Sequence, residues 1–249
     1  MVEGLRAHLE WGVSGSKRAV ARGDVVVVVD VFSFCTTVVA AVSRGAIIYP
    51  YRGLNPESYA RQVGAEVARR GSYSLSSTTF EKAEPGLKVV LPSANGSTIT
   101  MYVARSCPVY AGALVNASAA SRAAARAAAE RNSGLTVIAG GERPLDRWQD
   151  ERSYEFRPAI EDLLAAGAIL SVLPASWELT PEATLALLTY EAAKPRLKEL
   201  IWECESALEI RADGRDRDVE FASRVDSFDL APLFSEGAFR PAPGQPDGP

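Results

Sequence analysis

Apolar positions along the chain alternate between short β-branched runs and longer stretches with helical spacing. That alternation predicts an α/β fold, three-layered, with helices covering a mostly parallel sheet. The clearest run is 24–31, whose five consecutive valines, Val25 to Val29, leave no polar face. Such a strand must be covered on both sides, as at the centre of a parallel sheet. Further strands are predicted at 46–49, 88–91, 109–111 and 135–139, with helices at 35–44, 56–70, 96–105, 117–131 and 158–173. The 117–131 segment is rich in alanine, the strongest intrinsic helix former, and Asn116 or Ser118 can cap it. Beyond Pro174 the pattern turns fully helical, at 181–193 after Thr180, at 195–211 and at 216–225, each opened by proline or a capping residue. The Pro- and Gly-rich segment 237–249 is expected to lack fixed structure.

An internal echo appears at an offset of 61 positions: Val28 and Val29 match Val89 and Val90, Thr36 and Thr37 match Ser97 and Thr98, and Tyr49 matches Tyr110. Each copy reads as strand, polar loop, hydroxyl pair, helix, short strand. Read as a duplication, it places two loop-to-helix junctions at the carboxyl ends of two parallel strands, where open α/β sheets bind ligands. Two ordinary βαβ units would give much the same pattern. The expected organisation is one α/β domain over 1–236, with two similar lobes, about 22–113 and 114–236, as a variant of it.

Composition narrows the chemistry. The chain of 249 residues is 47% hydrophobic and 23% charged, enough for a full core, which excludes disorder, collagen and coiled coil. Its 27 basic and 31 acidic residues are interspersed, so no stripe for a nucleic-acid backbone is expected. Three cysteines, Cys35, Cys107 and Cys204, lie too far apart for a disulfide framework or a paired zinc motif. With no apolar run of membrane-spanning length, they favour a cytoplasmic protein without a membrane partner. One histidine, His8, argues against a Ser-His-Asp triad, and a surface or capping role suits it better. Catalysis would then rest on carboxylates, hydroxyls, backbone amides and a metal ion. The residues six positions after the cysteines are Ala41, Ala113 and Ile210, which excludes a cysteine-phosphatase loop. Phe32 stands where a phosphoaspartate loop would want a second Asp after Asp30, and no P-loop is present.

Three junctions remain. In the first, Asp30 ends the buried strand and Thr36 and Thr37 open the next helix, an arrangement able to hold Mg²⁺ or an oxyanion. The same residues would equally serve as an ordinary helix cap. In the second, Asn95, Gly96 and Ser97 form a tight turn whose amides can converge on phosphate, although a plain βα turn looks similar. In the third, Gly140, Gly141, Glu142 and Arg143 follow a strand, and Glu161 and Asp162 open an apolar helix. Either acid suits the helix dipole. Alternatively, one turns inward onto a divalent cation while the other supports it or caps. Arg143, Arg147, Arg152 and Arg157 can cover a negatively charged substrate or remain solvated.

Taken in order, these pieces resemble the 2-phosphosulfolactate phosphatase (ComB-like) family of Mg²⁺-dependent hydrolases. The family's D-V-L-R-A-[ST]-T-T motif is met by Asp30 to Thr37, and its T-x-N-G-T turn by Ser93-Ala94-Asn95-Gly96-Ser97. Its L-N-A-S helix start is met by Val115-Asn116-Ala117-Ser118. Its A-G and E-D-x-x-x-A-G-A segments are met by Ala139-Gly140 and by Glu161-Asp162 with Ala166-Gly167-Ala168. Asp218-Val219-Glu220-Phe221-Ala222 and Asp226 match a late D-V-x-x-A segment, so the likeness runs over 22–235. Two departures stand out: Ser33 replaces the motif's Arg, and a Gly-Glu-Arg loop is missing around 71–80. Loss of an arginine removes charge-assisted contacts of about 1.5–3 kcal/mol each to an anion. Another Arg substitutes, or the substrate differs, or activity is lost.

The resemblance implies a cytoplasmic Mg²⁺-dependent phosphatase acting on a small phosphorylated acid, 2-phosphosulfolactate giving 3-sulfolactate, as in coenzyme M biosynthesis. It points to Asp30, Glu161 and Asp162 for metal and acid-base work and to Thr36, Thr37, Asn95, Gly96 and Ser97 for phosphate, with Arg143 touching substrate. It leaves a homodimer open. The alternative is an inactive relative that binds a phosphorylated or carboxylated metabolite.

Overall fold

The valine run forms strand β2 (Val25–Val29), with every residue buried. Val25, Val27 and Val29 enter one apolar cluster and Val26 and Val28 another, so the strand is covered on both faces as its sequence requires. The computed structural model describes residues 5–142 and 156–242. Around β2 it assembles β1 (Arg6–Trp11), β3 (Ile47–Tyr51), β4 (Glu66–Val67), β5 (Lys88–Pro92), β6 (Val109–Gly112), β7 (Leu135–Ala139), β8 (Glu178–Leu179), β9 (Pro232–Ser235) and β10 (Ala238–Pro241). They form one ten-stranded sheet in the order β4-β5-β3-β10-β9-β6-β2-β7-β1-β8. Pairing is parallel from β6 through β2, β7 and β1 to β8, and again among β3, β5 and β4. The antiparallel hairpin β9–β10 joins the two groups, so they run in opposite senses.

The helices are α1 (Gly12–Arg22), α2 (Phe34–Val42), α3 (Pro56–Val63), α4 (Gly96–Val103), α5 (Ala117–Arg131), α6 (Ile160–Leu170), α7 (Pro181–Ala193), α8 (Leu197–Glu203), α9 (Glu205–Ala212) and α10 (Asp216–Ala222). Side chains of α5, α6 and α7 share the cluster of Val25, Val27 and Val29, while those of α2 and α4 share the other, which makes three layers. Where α6 and α7 cross, a Cβ on Gly167 would collide with the Ala186 carbonyl and the Tyr190 side chain, so this contact depends on the missing side chain. Among the described residues no helix is long and apolar enough to cross a membrane.

Several boundaries differ from the pattern reading for identifiable reasons. The 56–70 helix stops at Gly64, whose φ of +65° caps it in the left-handed region, and β4 follows. The 195–211 helix is broken at Cys204, whose backbone is extended and whose thiol donates to the Ile201 carbonyl at the end of α8. Residues 237–241 do not trail away. Glu236 and Gly237, both with positive φ, make a tight hairpin turn, and β10 carries the fully buried Phe239 into the rings of Phe34 and Phe234. His8 is a half-buried residue of β1, opposite Thr136, and not a cap. Neither Asn116 nor Ser118 caps α5 with its own side chain. Asn116 holds Ala113, Ala111 and Leu230 backbone groups, and Asp226 accepts from the Ser118 amide at 2.7 Å.

Candidate active site

Asp30 leaves β2 at its carboxyl end and is buried, with 5% of its surface exposed. Its Oδ1 accepts from the Phe34 amide at 3.1 Å and its Oδ2 from the Gly96 amide at 2.7 Å. The Ser93 hydroxyl lies 3.5 Å from the same Oδ2. One carboxylate thus caps two helices, α2 and α4, at their positive dipole ends. The two loop-to-helix junctions singled out by the 61-residue echo therefore meet at Asp30, although β2 and β5 are not neighbours and, contrary to the duplication reading, not parallel, because the β9–β10 hairpin reverses the sense of the sheet between them. The approach is close enough that a Cβ on Gly96 would fall inside the Phe34 ring.

Three further carboxyl groups surround this point. Both Asp162 oxygens are engaged, Oδ1 by the Val31 amide at 2.8 Å and Oδ2 by the Gly141 amide at 2.9 Å, which ties the loop after β2 to the loop after β7. Its neighbour Glu161 is 1% exposed, and its Oε2 has no hydrogen-bond partner among the described residues. Glu142, beside the end of β7, accepts from Asn95 Nδ2 at 3.3 Å and pairs backbone to backbone with Arg157. Burial pushes the Asp30 carboxyl up, against the pull of its amide bonds. Burial and the adjoining Glu161 and Asp30 hold Asp162 well above the usual carboxylate range. Burial, with Asp30 and Glu161 near it, pushes Glu142 up to about 8. The Cys204 thiol reaches about 12, chiefly through burial and then through Glu161 beside it. Like charges crowded into a dry site need protons or a cation.

The predicted phosphate groups divide. Thr36 Oγ1 donates to the Val31 carbonyl at 2.8 Å, and the Gly96 amide serves Asp30. Ser97 Oγ donates to the Leu91 carbonyl at 2.8 Å and accepts from the Tyr51 amide at 3.3 Å, so it fastens α4 to the sheet. Thr37 Oγ1 and Asn95 Oδ1, in contrast, are buried without a partner among the described residues. Arg143, with Arg147 and Arg152, lies outside the described residues. Arg157 contacts Ser206 and lies 3.7 Å from Glu209. Ser33 is met by a guanidinium from a distant part of the chain, with Arg215 Nη2 at 3.5 Å from its hydroxyl.

Sequence reasoning placed Glu142 in a motif but gave it no role, and it passed over Cys204 and Arg215 as site residues. A signal for Glu142 existed: β2 and β7 are both buried strands, and each is followed by an acid, Asp30 and Glu142. Nothing in the local pattern around Cys204 or Arg215 marks them, because only the fold of α8 to α10 brings them to this end of the sheet.

The donor set suits a hard cation. Mg²⁺ binds oxygen, keeps much of its water and needs only one or two carboxylates. Glu161 Oε2 and Asn95 Oδ1 are unsatisfied oxygens of that kind. Asp30, with one strong amide bond per oxygen, retains lone pairs. Among the described residues no three His, Cys, Asp or Glu side chains form a closed metal cage, so protein ligands here would be few.

A protein of Pseudothermotoga lettingae described as a probable 2-phosphosulfolactate phosphatase is 24% identical to the chain over 228 residues, covering 88% of this chain and 93% of its own. A family model described as 2-phosphosulpholactate phosphatase matches residues 72–237. Asp30 lies ahead of that match, which takes in Asn95, Glu142, Glu161 and Asp162. Since it covers more than half of the sequence, the chain belongs to the 2-phosphosulpholactate phosphatase family, a family of phosphoric monoester hydrolases.

Proposed function

We propose that the protein is a Mg²⁺-dependent phosphatase of a small acidic phosphate monoester, with 2-phosphosulfolactate as the substrate and 3-sulfolactate and phosphate as the products. The observation that carries this reading is the buried Glu161 Oε2, without a partner among the described residues and set among Asp30, Asp162 and Glu142. A carboxylate left unsatisfied in a dry site costs stability, and a cation relieves that cost. Family membership and the relative from Pseudothermotoga lettingae support the choice of substrate.

Glu161, Asn95 through its carbonyl oxygen, and Asp30 would hold the cation. Asp162 keeps the loops after β2 and β7 at a fixed separation, which positions Asp30 and Glu142. When bound, Mg²⁺ would neutralise phosphoryl oxygens and orient the attacking water. Thr37 offers a buried hydroxyl to a phosphoryl oxygen. Glu142 keeps its proton near neutral pH and is suited to deliver it to the departing alkoxide. The test is phosphate release from 2-phosphosulfolactate with Mg²⁺ and with EDTA, for wild type and Glu142→Gln. Metal-dependent release that falls by about 10²-fold or more in the variant is expected from loss of a general acid. Equal rates in both proteins would remove Glu142 from the mechanism, and release unaffected by EDTA would remove the metal.

A further inference from the structure

A cavity of about 410 Å³ lies beside the Asp30 loop, lined by Arg70, Ser74, Leu75, Ser76, Asp213 and Arg215. That volume suits a small organic acid. Arg215 is held rigidly within it. Its Nε donates at 2.8 Å to Oδ2 of the buried Asp218, and its Nη2 donates to the Leu75 carbonyl. Asp218 is fixed in turn, accepting from Ser76 Oγ at 2.8 Å, Thr78 Oγ1 at 3.0 Å and the Thr78 amide at 3.2 Å. The same Nη2 lies 3.5 Å from the hydroxyl of Ser33, the residue just before α2 and three after Asp30. Arg215 Nη1 has no hydrogen bond among the described residues, so one edge of a pre-oriented fork remains for a ligand. Arg70, on the same wall, forms no ion pair among the described residues. Asp213 opposes an anion, but it is exposed and screened, and the two guanidiniums outnumber it.

We propose that this cavity is the subsite for the second acidic group of the substrate, its carboxylate or sulfonate, with Arg215 as the specificity-determining contact and Arg70 as its partner. The proposal rests on the phosphatase reading above. It separates two tasks, with phosphoryl chemistry at the carboxyl cluster and recognition of the acid at a guanidinium pair reached through Ser33. An arginine from the start of α10 thereby stands at Ser33, the position where the family motif carries its own arginine.

Binding of the product 3-sulfolactate to the full-length protein by titration calorimetry tests this without turnover. Wild type is expected to bind, and Arg70→Gln and Arg215→Lys to weaken binding about tenfold or more. With 2-phosphosulfolactate the same variants should raise KM and leave kcat within about threefold. Undiminished binding of 3-sulfolactate by both variants, or no binding by wild type, overturns the proposal. Should Arg215→Lys fail to fold because Asp218 loses its partner, Arg70→Gln decides alone, since Arg70 is an exposed side chain. Absence of phosphate release by wild type would count against the phosphatase reading. Loss of 3-sulfolactate binding in the variants would still assign the cavity.

Discussion

The two oxygens of Asp162 take amide protons from two different loops, while the next side chain toward the N-terminus, Glu161, has an oxygen with no partner among the described residues. Adjacent residues of like charge at one helix start therefore do opposite things, and their variants should separate stability from function. Asp162→Ala removes two buried hydrogen bonds and leaves two amides buried without a partner, so it should cost about 2 kcal/mol or more in a denaturant titration. Glu161→Gln retains shape and replaces a buried carboxyl whose Oε2 has no partner among the described residues. Its melting temperature in EDTA should match or exceed that of wild type, while phosphatase turnover is lost, the usual trade between a site's strain and its activity. A lower melting temperature would show that Glu161 is structural. At this scale the sequence marks which side chains gather at the strand ends but not which atoms stay free. Thr36 and Thr37 are indistinguishable as letters, yet of the two only the Thr37 hydroxyl has no partner among the described residues, because Val31 turns its carbonyl to Thr36. Ser97 looked like a phosphate ligand, but the edge of β3 claims its hydroxyl.

Two helix starts meet because Gly96 has no side chain. Gly96→Ala would drive a methyl into the Phe34 ring, pushing α4 off Asp30, at a cost of about 1–3 kcal/mol typical of overpacking. Thermal unfolding of this variant should show the loss, with catalysis falling further than stability alone explains. If the variant were as stable and active as wild type, the shared cap would not be the junction described. Elements with unambiguous period were readable: the valine strand, the alanine helix Ala117–Arg131 and the Pro181–Ala193 helix agree with their patterns. β1 was equally legible and was passed over: Arg6, His8 and Glu10 alternate with Ala7, Leu9 and Trp11, the period of a half-buried strand, whereas α1 is hidden by the glycines and serines that open it. β10 was hidden by proline and glycine around it, and its place in the sheet rests on Phe239, a single large apolar residue. The packing of Phe239 against Phe34 and Phe234 is a long-range contact that no local pattern reports.

At the scale of the molecule, the carboxyl groups of Asp30, Glu142 and Asp162 at one end of the sheet make folding sensitive to pH. Glu142 titrates near 8 when folded and near 4.5 in its ordinary state, so protons favour the folded form. The stabilising effect is complete below about pH 4.5 and is lost as pH rises toward 8, and Asp30 and Asp162 are shifted the same way. In EDTA the melting temperature should fall between pH 5 and 8.5, and Glu142→Gln should flatten that slope; an unchanged slope would mean that Glu142 ionises freely. The most direct test of the central claim is phosphate release from 2-phosphosulfolactate by wild type and Glu161→Gln, each with Mg²⁺ and with EDTA. Wild type should release phosphate with Mg²⁺ alone, and the folded variant should release none under either condition. Release by Glu161→Gln at the wild-type rate, or release by wild type in EDTA, would contradict the claim.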